Sequence, residues 1–308
     1  MSAADSVRPG FRRLAAVTAA LIYLLIVVGG IVRVTGSGLG CPDWPLCYGQ
    51  VLPPPEIEAI IEFSHRFVAG VGGLFILATA FFAWRDYRRQ RWISVPALAV
   101  IVLLAIQVPL GAVVVLTELE PLSVAVHLGM ALLIFACALA VVVAAYRPAG
   151  LPGDTLPPHF LRLLGAGIAV LFLLVTTGAI VVGEGASFSC PDWPLCNGSL
   201  FPAADAPLPV ILHLLHRYTV IIAGLVLALA IVHAVYARRG MPGLYRWALL
   251  LGVLFVGQAG IGAAKIWTHL ATFWRVLHLA TAAGVWATLI VMAVLGYFRQ
   301  RAAAAQRA

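Results

Sequence analysis

The sequence predicts an all-α integral membrane protein: eight transmembrane helices, arranged as two tandem four-helix bundles related by an approximate two-fold axis along the membrane normal. Three observations carry this expectation. Of the 308 residues, 62% are hydrophobic and only 10% are charged. The apolar residues gather into eight runs, each long enough to cross a bilayer. The segment CPDWPLC occurs twice, letter for letter, at Cys41–Cys47 and at Cys190–Cys196.

The composition sets the class. A soluble domain of this size could not cover its surface with so few charges. A net charge of +8 is compatible with binding nucleic acid, but in a chain this apolar it is read as Arg-rich loops on one side of a membrane. Lipid, and not nucleic acid, is the expected surroundings.

A helix crossing the hydrocarbon core needs about 20 apolar residues. The runs lie at 14–33, 65–84, 93–116, 123–146, 161–182, 213–236, 246–266 and 274–298. The first follows Arg12 and Arg13 in the manner of a signal peptide. It is long, lacks a small-residue cleavage site and precedes seven further runs, so it is read as a retained span. Arg8, Arg12, Arg13, Arg85, Arg88, Arg89, Arg91, Arg147, Arg162, Arg238, Arg239, Arg246, Arg299, Arg301 and Arg307 all fall on one side. Arg33, Arg66, Arg217, Lys265 and Arg275 fall towards the other. The basic excess marks the cytoplasmic side, which places both termini there in the cell membrane. The CPDWPLC segments then face outwards, into an oxidising compartment where disulfides persist.

The repeat extends well beyond these seven residues. GGIVRVTGSGLGCPDWPLC, from Gly29, aligns with GAIVVGEGASFSCPDWPLC, from Gly178. EFSHRFVAGVGGL, from Glu62, aligns with HLLHRYTVIIAGL, from His213, and Gln107, Gly111 and His127 align with Gln258, Gly262 and His278. Four spans per copy leave both copies in the same orientation, as in parallel-repeat membrane proteins. The expected organisation is an N-terminal half at 1–147, a Pro- and Gly-rich cytoplasmic connection at 148–160 and a C-terminal half at 161–308.

Four of the eight histidines fall in repeat-matched pairs, His65 with His216 and His127 with His278, each opening an even-numbered span at its outer end. Ionisable groups at the edge of the hydrocarbon are functional candidates. A single such histidine is most simply an interfacial group bonded to a neighbouring helix; two per bundle, at matched depth in both copies, favour ligation. A histidine on the second helix facing one on the fourth suits axial coordination of a haem iron. Zinc suits the pattern less well, since it takes further protein ligands and no Cys or Asp recurs at that depth. Arg66 and Arg217 follow His65 and His216 near a helix N-terminus, where haem propionates would find N–H groups and a fixed positive charge. The plainer alternative is that both arginines anchor helix ends among lipid headgroups. Glu62 precedes His65 by three residues on the same helical face, and His213 stands in its place in the second copy. This asymmetry suggests different work in the two halves, although a carboxylate at a helix N-terminus is also a common stabiliser.

His159, His233 and His269 read as surface or interfacial groups, and Cys137 as a buried apolar residue. Gln107 and Gln258 read as interhelical hydrogen-bonding groups, with Gly111 and Gly262 permitting close packing. Cys41 with Cys47, and Cys190 with Cys196, can each close a disulfide within its own loop, since the enclosed prolines favour a turn. A rigid lid over each bundle and a redox-active thiol pair both fit this spacing.

With these residues assembled, the chain resembles the haem A synthase family, in its bacterial form with cysteine pairs in the outer loops. The likeness rests on eight spans, the paired CPDWPLC loops, EFSHR at Glu62–Arg66, HR at His216–Arg217, and His127 and His278. It implies an oxidoreductase that converts the C8 methyl of haem O to the formyl group of haem A for terminal oxidases. It further implies that Glu62, His65 and His127 serve the substrate haem O, Glu62 as the catalytic group, and that His216 and His278 hold a resident haem b. Haem O synthase and an electron partner would be its associates. Two other readings use the same residues: a di-haem b-type electron-transfer cytochrome, which needs no Glu62, and a membrane thiol oxidase, which needs the cysteines and not the histidines. A parallel-repeat transporter is disfavoured, because no span carries an acid or base at mid-membrane.

Overall fold

The computed structural model describes residues 7–147, 158–236 and 242–307. It contains eight long helices: α1 Pro9–Val34, α2 Ile57–Tyr87, α3 Arg91–Leu116, α4 Pro121–Tyr146, α5 Pro158–Gly183, α6 Leu208–Tyr236, α7 Pro242–Trp267 and α8 Thr272–Arg307. All eight are long and apolar enough to cross a membrane. Among the described residues there is no β-strand, only the isolated bridges Cys47–Gln50 and Cys196–Ser199. Residues 148–157 of the connection read at 148–160 lie outside the described residues, as do Arg238 and Arg239. The α5 helix already begins at Pro158, so His159 is helical.

The helices extend past the apolar runs. The α2 helix starts at Ile57, two turns before the run at 65–84, and α8 continues to Arg307, past 298. A hydropathy run registers only the part that would sit in hydrocarbon, whereas helix formation continues wherever side chains tolerate it. Successive helices alternate in direction. Even-numbered helices therefore begin, and odd-numbered helices end, at one common level, called here the disulfide end.

Helix contacts follow the same pattern in both halves. Within the N-terminal half α1 touches α2 and α4, and α3 touches α2 and α4; within the C-terminal half α5 touches α6 and α8, and α7 touches α6 and α8. The halves meet through α4 with α5, α1 with α8, and α4 with α8. Glycine permits the close approaches at this seam. A Cβ on Gly30 would sit 2.5 Å from the Leu279 side chain, and one on Gly129 would sit 3.0 Å from Phe172. With little hydrophobic driving force between helices in lipid, packing of this kind and buried hydrogen bonds hold such a bundle together. Trp286, almost fully buried, donates its indole N–H to the Leu132 carbonyl at 3.0 Å, and the Tyr23 hydroxyl donates to the Ala280 carbonyl at 3.1 Å. Both bonds join one half to the other.

Candidate functional site

The four paired histidines sit at matched depth near the disulfide end, His65 and His216 in the third turn of α2 and α6, His127 and His278 in the second turn of α4 and α8. Each ring lies against a glycine of the neighbouring helix. A Cβ on Gly29 would come within 3.1 Å of the His65 ring, and one on Gly178 within 3.0 Å of the His216 ring. For Gly111 against His127 and for Gly262 against His278 the distance is 3.3 Å in both cases. All four imidazoles thus occupy space that any larger residue would take from them. The Nδ1 atoms of His65, His127, His216 and His278 are buried with no protein partner. Within each half the two rings are close enough to feel one another electrostatically, His65 with His127 and His216 with His278.

Behind the fourth-helix histidines, Gln107 Nε2 donates to the His127 carbonyl at 3.2 Å, and Gln258 Nε2 donates to the His278 carbonyl at 2.9 Å. Gln107 Nε2 also lies 3.3 Å from His127 Nε2. These glutamines fix the backbone that carries the ring.

Over each pair lies a disulfide loop, closed by Cys41–Cys47 and by Cys190–Cys196. Asp43 ties its loop from within: its carboxylate accepts the N–H of Tyr48 at 2.6 Å and of Gly49 at 2.7 Å. Asp192 does the same for Asn197 and Gly198, at 2.6 and 2.7 Å. Tyr48, Gly49, Asn197 and Gly198 all have positive φ, the backbone region in which Asn and Gly are most at ease. The pKa of Asp43 is held below the ordinary carboxylate value, first by the Gly49 N–H and, against partial desolvation, by Tyr48 and the nearby Arg66 charge. Asp192 is lowered in the same way, with Gly198 first.

Arg66 and Arg217 join these loops to the helices. Arg66 Nη1 donates to the carbonyls of Asp43 and Leu46 at 2.8 and 2.7 Å, and Nη2 to the Cys41 carbonyl at 2.9 Å and to Glu62 Oε1 at 2.5 Å. Arg217 makes the equivalent grip on the carbonyls of Cys190, Asp192, Pro194 and Leu195. Arginine suits this because its planar fork presents five donors in fixed directions. Both arginines are thus committed mainly to the loop, with Nε left outside these bonds.

Glu62 is buried, with 3% of its surface exposed. Its other oxygen, Oε2, accepts the Cys41 N–H at 2.9 Å. The carboxylate therefore stands between Arg66 and the loop, one turn from His65. His213, at the same point of the C-terminal half, is buried with Nδ1 unpartnered. Sequence reading left three features of the site unassigned. Gly29 and Gly178 cradle His65 and His216, although their alignment was visible in the repeat. Asp43 and Asp192 lie within the duplicated heptapeptide, but their role depends on the turn it forms. Lys265 comes within electrostatic reach of His213, His216 and His278 together; its aligned residue is Val114.

The remaining candidates gather elsewhere. His159 and His233 pack ring to ring at 5.1 Å at the opposite end of the bundle, and His269 packs on Phe188 at the disulfide end. Cys137 is a free thiol within α4.

The family model for cytochrome oxidase assembly proteins matches residues 12–290. Among curated relatives, the chain is 31% identical over 298 residues to a protein named "Heme A synthase" from Shouchella clausii, covering 95% of this chain and 99% of that one. It is 32% identical over 297 residues to a "Heme A synthase" from Geobacillus kaustophilus, covering 91% and 90% of the two chains. A protein of the same name from Alkalihalophilus pseudofirmus is 30% identical over 270 residues, 85% of this chain and 89% of that one.

Proposed function

The chain belongs to the cytochrome oxidase assembly protein family (COX15-CtaA), and from that membership we infer that it is a haem A synthase, a multi-pass membrane oxidoreductase acting on haem O. The reaction turns the C8 methyl of haem O into the formyl group of haem A. These relatives do not support the alternatives, a di-haem cytochrome and a thiol oxidase.

One observation carries the assignment of sites: two half-buried histidines per half, each ring packed against a glycine where a larger residue would crowd it and each with a buried Nδ1 lacking a protein partner. Such a pair fits the two axial positions of a haem iron. His216 and His278 would hold haem b, which when bound would supply one-electron transfer. His65 and His127 take the substrate haem O. Glu62 is the catalytic group, accepting a proton from the methyl under oxidation or stabilising positive charge that develops there. Its bonds from Cys41 and Arg66 hold the carboxylate in place, so little reorganisation is needed during reaction. Arg66 and Arg217 shape the loops over the two sites and keep Nε for a haem carboxylate.

The halves at 1–147 and 161–308 are read as related by a pseudo-two-fold axis along the membrane normal, a reading supported by their parallel helix contacts. Both termini are assigned to the cytoplasm, and the disulfide loops and haem sites to the outer face, from the distribution of arginine.

The test is to express the chain in cells that make haem O but no haem A, then extract haems from the membranes and from the purified protein. Haem A in the membranes and haem b in the purified protein are expected. Haem b with haem O left unconverted would overturn the synthase reading in favour of an electron-transfer cytochrome.

A further inference from the structure

Three half-buried cations near the disulfide end have no acidic partner among the described residues. Arg33 lies in the last turn of α1, Lys265 in the last turn of α7 and Arg275 in the first turn of α8. The ion pairs among the described residues belong to Arg8, Arg66 and Arg85. Each of the three faces a valine in the other copy: Arg33 of the N-terminal half aligns with Val182, whereas Lys265 and Arg275 of the C-terminal half align with Val114 and Val124. The cations also crowd one another. Arg33 and Lys265 both lie within electrostatic reach of the Arg275 charge. Like charges gathered away from water, with no acid between them, are costly unless an anion joins them.

Capping of helix ends accounts for part of this arrangement. Arg33 Nη2 donates to the Val182 carbonyl at 3.4 Å and Arg275 Nη1 to the Val34 carbonyl at 3.2 Å, at the ends of α5 and α1, where positive charge is favoured. It does not account for Arg33 Nε, which is buried with no partner. Nor does it account for Lys265, whose ammonium makes no hydrogen bond or ion pair among the described residues. Lys265 follows Gly262, the cradle of His278, by three residues, and Arg275 precedes His278 by three. Three residues of helix rise about 4.5 Å. Both cations therefore stand roughly one turn from the His278 ring, on its disulfide-end side, where the edge of a haem held by His216 and His278 would emerge. Arg217, engaged by four loop carbonyls through Nη1 and Nη2, leaves only Nε for a carboxylate.

We propose that Lys265 and Arg275 bind the propionate carboxylates of the haem in the C-terminal half, with Arg33 extending the positive field to the seam between the halves. This rests on His216 and His278 being the ligands of that haem. It also supplies a reason for the two sites to differ: the haem of the C-terminal half is anchored by Lys265 and Arg275, which the N-terminal half, which must release its product, replaces with Val114 and Val124.

The full-length protein, stripped of haem in detergent, is titrated with haem b and with its dimethyl ester, whose carboxylates are blocked, and the six-coordinate spectrum is recorded. Wild type should prefer the free acid by about tenfold or more, the size expected for one charge-assisted hydrogen bond. Lys265→Met should abolish most of that preference while binding the ester as wild type does. Lys265→Arg should restore it, and Arg275→Gln should reduce it. An unchanged preference in Lys265→Met and Arg275→Gln overturns the proposal. So does an equal loss of affinity for both haems, which marks a structural role, and so does a wild type indifferent to esterification, which assigns the cations to another anion such as a lipid phosphate. Failure of the ligand assignment looks different: His278→Ala would then keep the six-coordinate spectrum.

Discussion

At the disulfide end of the N-terminal half the buried charge is a carboxylate. Glu62 accepts the Cys41 N–H and the Arg66 guanidinium, and the loop lies so close to α2 that a Cβ on Gly40 would meet the Glu58 carbonyl at 2.3 Å. At the same place in the C-terminal half stand His213 and Ser189, and the histidine pair lies within electrostatic reach of Lys265, which in turn lies within reach of Arg275. The frame is otherwise the same: the disulfide loop, the arginine that grips it, two histidines and a glycine behind each. The comparison teaches that the frame around each histidine pair is kept in both halves while a few residues beside it are replaced, and on the proposed function those replacements divide the labour. An acid near the ligand suits proton chemistry, and fixed cations suit permanent retention.

The severest way to break the comparison is at the histidines. His278→Ala or His216→Ala should remove the resident haem, read as complete loss of the six-coordinate haem b spectrum of the purified protein. His65→Ala and His127→Ala should leave that spectrum intact and stop conversion of haem O. A haem b spectrum lost equally from variants of either half would show that the labour is not divided.

Glu62 comes next. Glu62→Gln should lower the rate of haem A formation about 10²–10³-fold, the usual effect of removing one preorganised electrostatic group, with haem b content unchanged. His213→Gln should alter the rate little. Haem chromatography of cells expressing each variant decides, and normal haem A from Glu62→Gln would reduce the carboxylate to a loop fastener.

A smaller effect is expected where the loops differ. Gly40→Ser installs the residue of the C-terminal half where no Cβ fits, so the first loop must lift from α2 and loosen its hold on Glu62. A several-fold loss of haem A formation is expected, with thermal stability lowered by about 1–3 kcal/mol. Ser189→Gly, the reverse exchange, should change neither, as judged by the same haem extraction and by thermal unfolding in detergent.

The smallest effect is one in which the halves should agree. Asp43 and Asp192 have pKa values below the ordinary 3.8, chiefly because the Gly49 and Gly198 N–H groups stabilise the carboxylates. A carboxylate depressed in the folded state contributes stability that is fully present above its unfolded value and is lost as pH falls through the folded one. Both loops should therefore hold their amide protection from neutral pH down to about pH 4 and lose it below that. Hydrogen exchange at Tyr48, Gly49, Asn197 and Gly198 checks this. Protection that fades near neutral pH in one loop alone would show that the loops are not equivalent.

Much of the site was legible before folding, because the repeat acts as an internal comparison. Residues present in both copies, such as His65 with His216, stood out from ordinary interfacial histidines, and Glu62 stood out because its copy is His213. Lys265, Arg275 and Arg33 break the repeat just as plainly. Read along the chain, however, they resemble charges at helix ends, and only the convergence of α1, α5, α7 and α8 brings them together. Arg66 and Arg217 show the opposite limit. Their place after a histidine suggested a propionate site, but the carbonyls that take up most of their donors come from a loop some 20 residues earlier in the chain, and spacing alone does not reveal that approach.

The sequence by itself determined the membrane class, the eight helices, the duplication and the residues able to ligate or protonate. These follow from hydrophobicity, helical periodicity and the self-similarity of the chain, all of which are local or internal to it. The tertiary structure decided which backbone lies behind each imidazole, what the arginines grip, how closely the first loop presses on α2, and that three cations with no acidic partner among the described residues gather at the disulfide end. Each of these depends on a distance between residues far apart in the chain, and such distances arise only when the helices pack, through the absence of a Cβ at Gly29, Gly40, Gly111, Gly178 and Gly262 and the short hydrogen bonds that close packing permits.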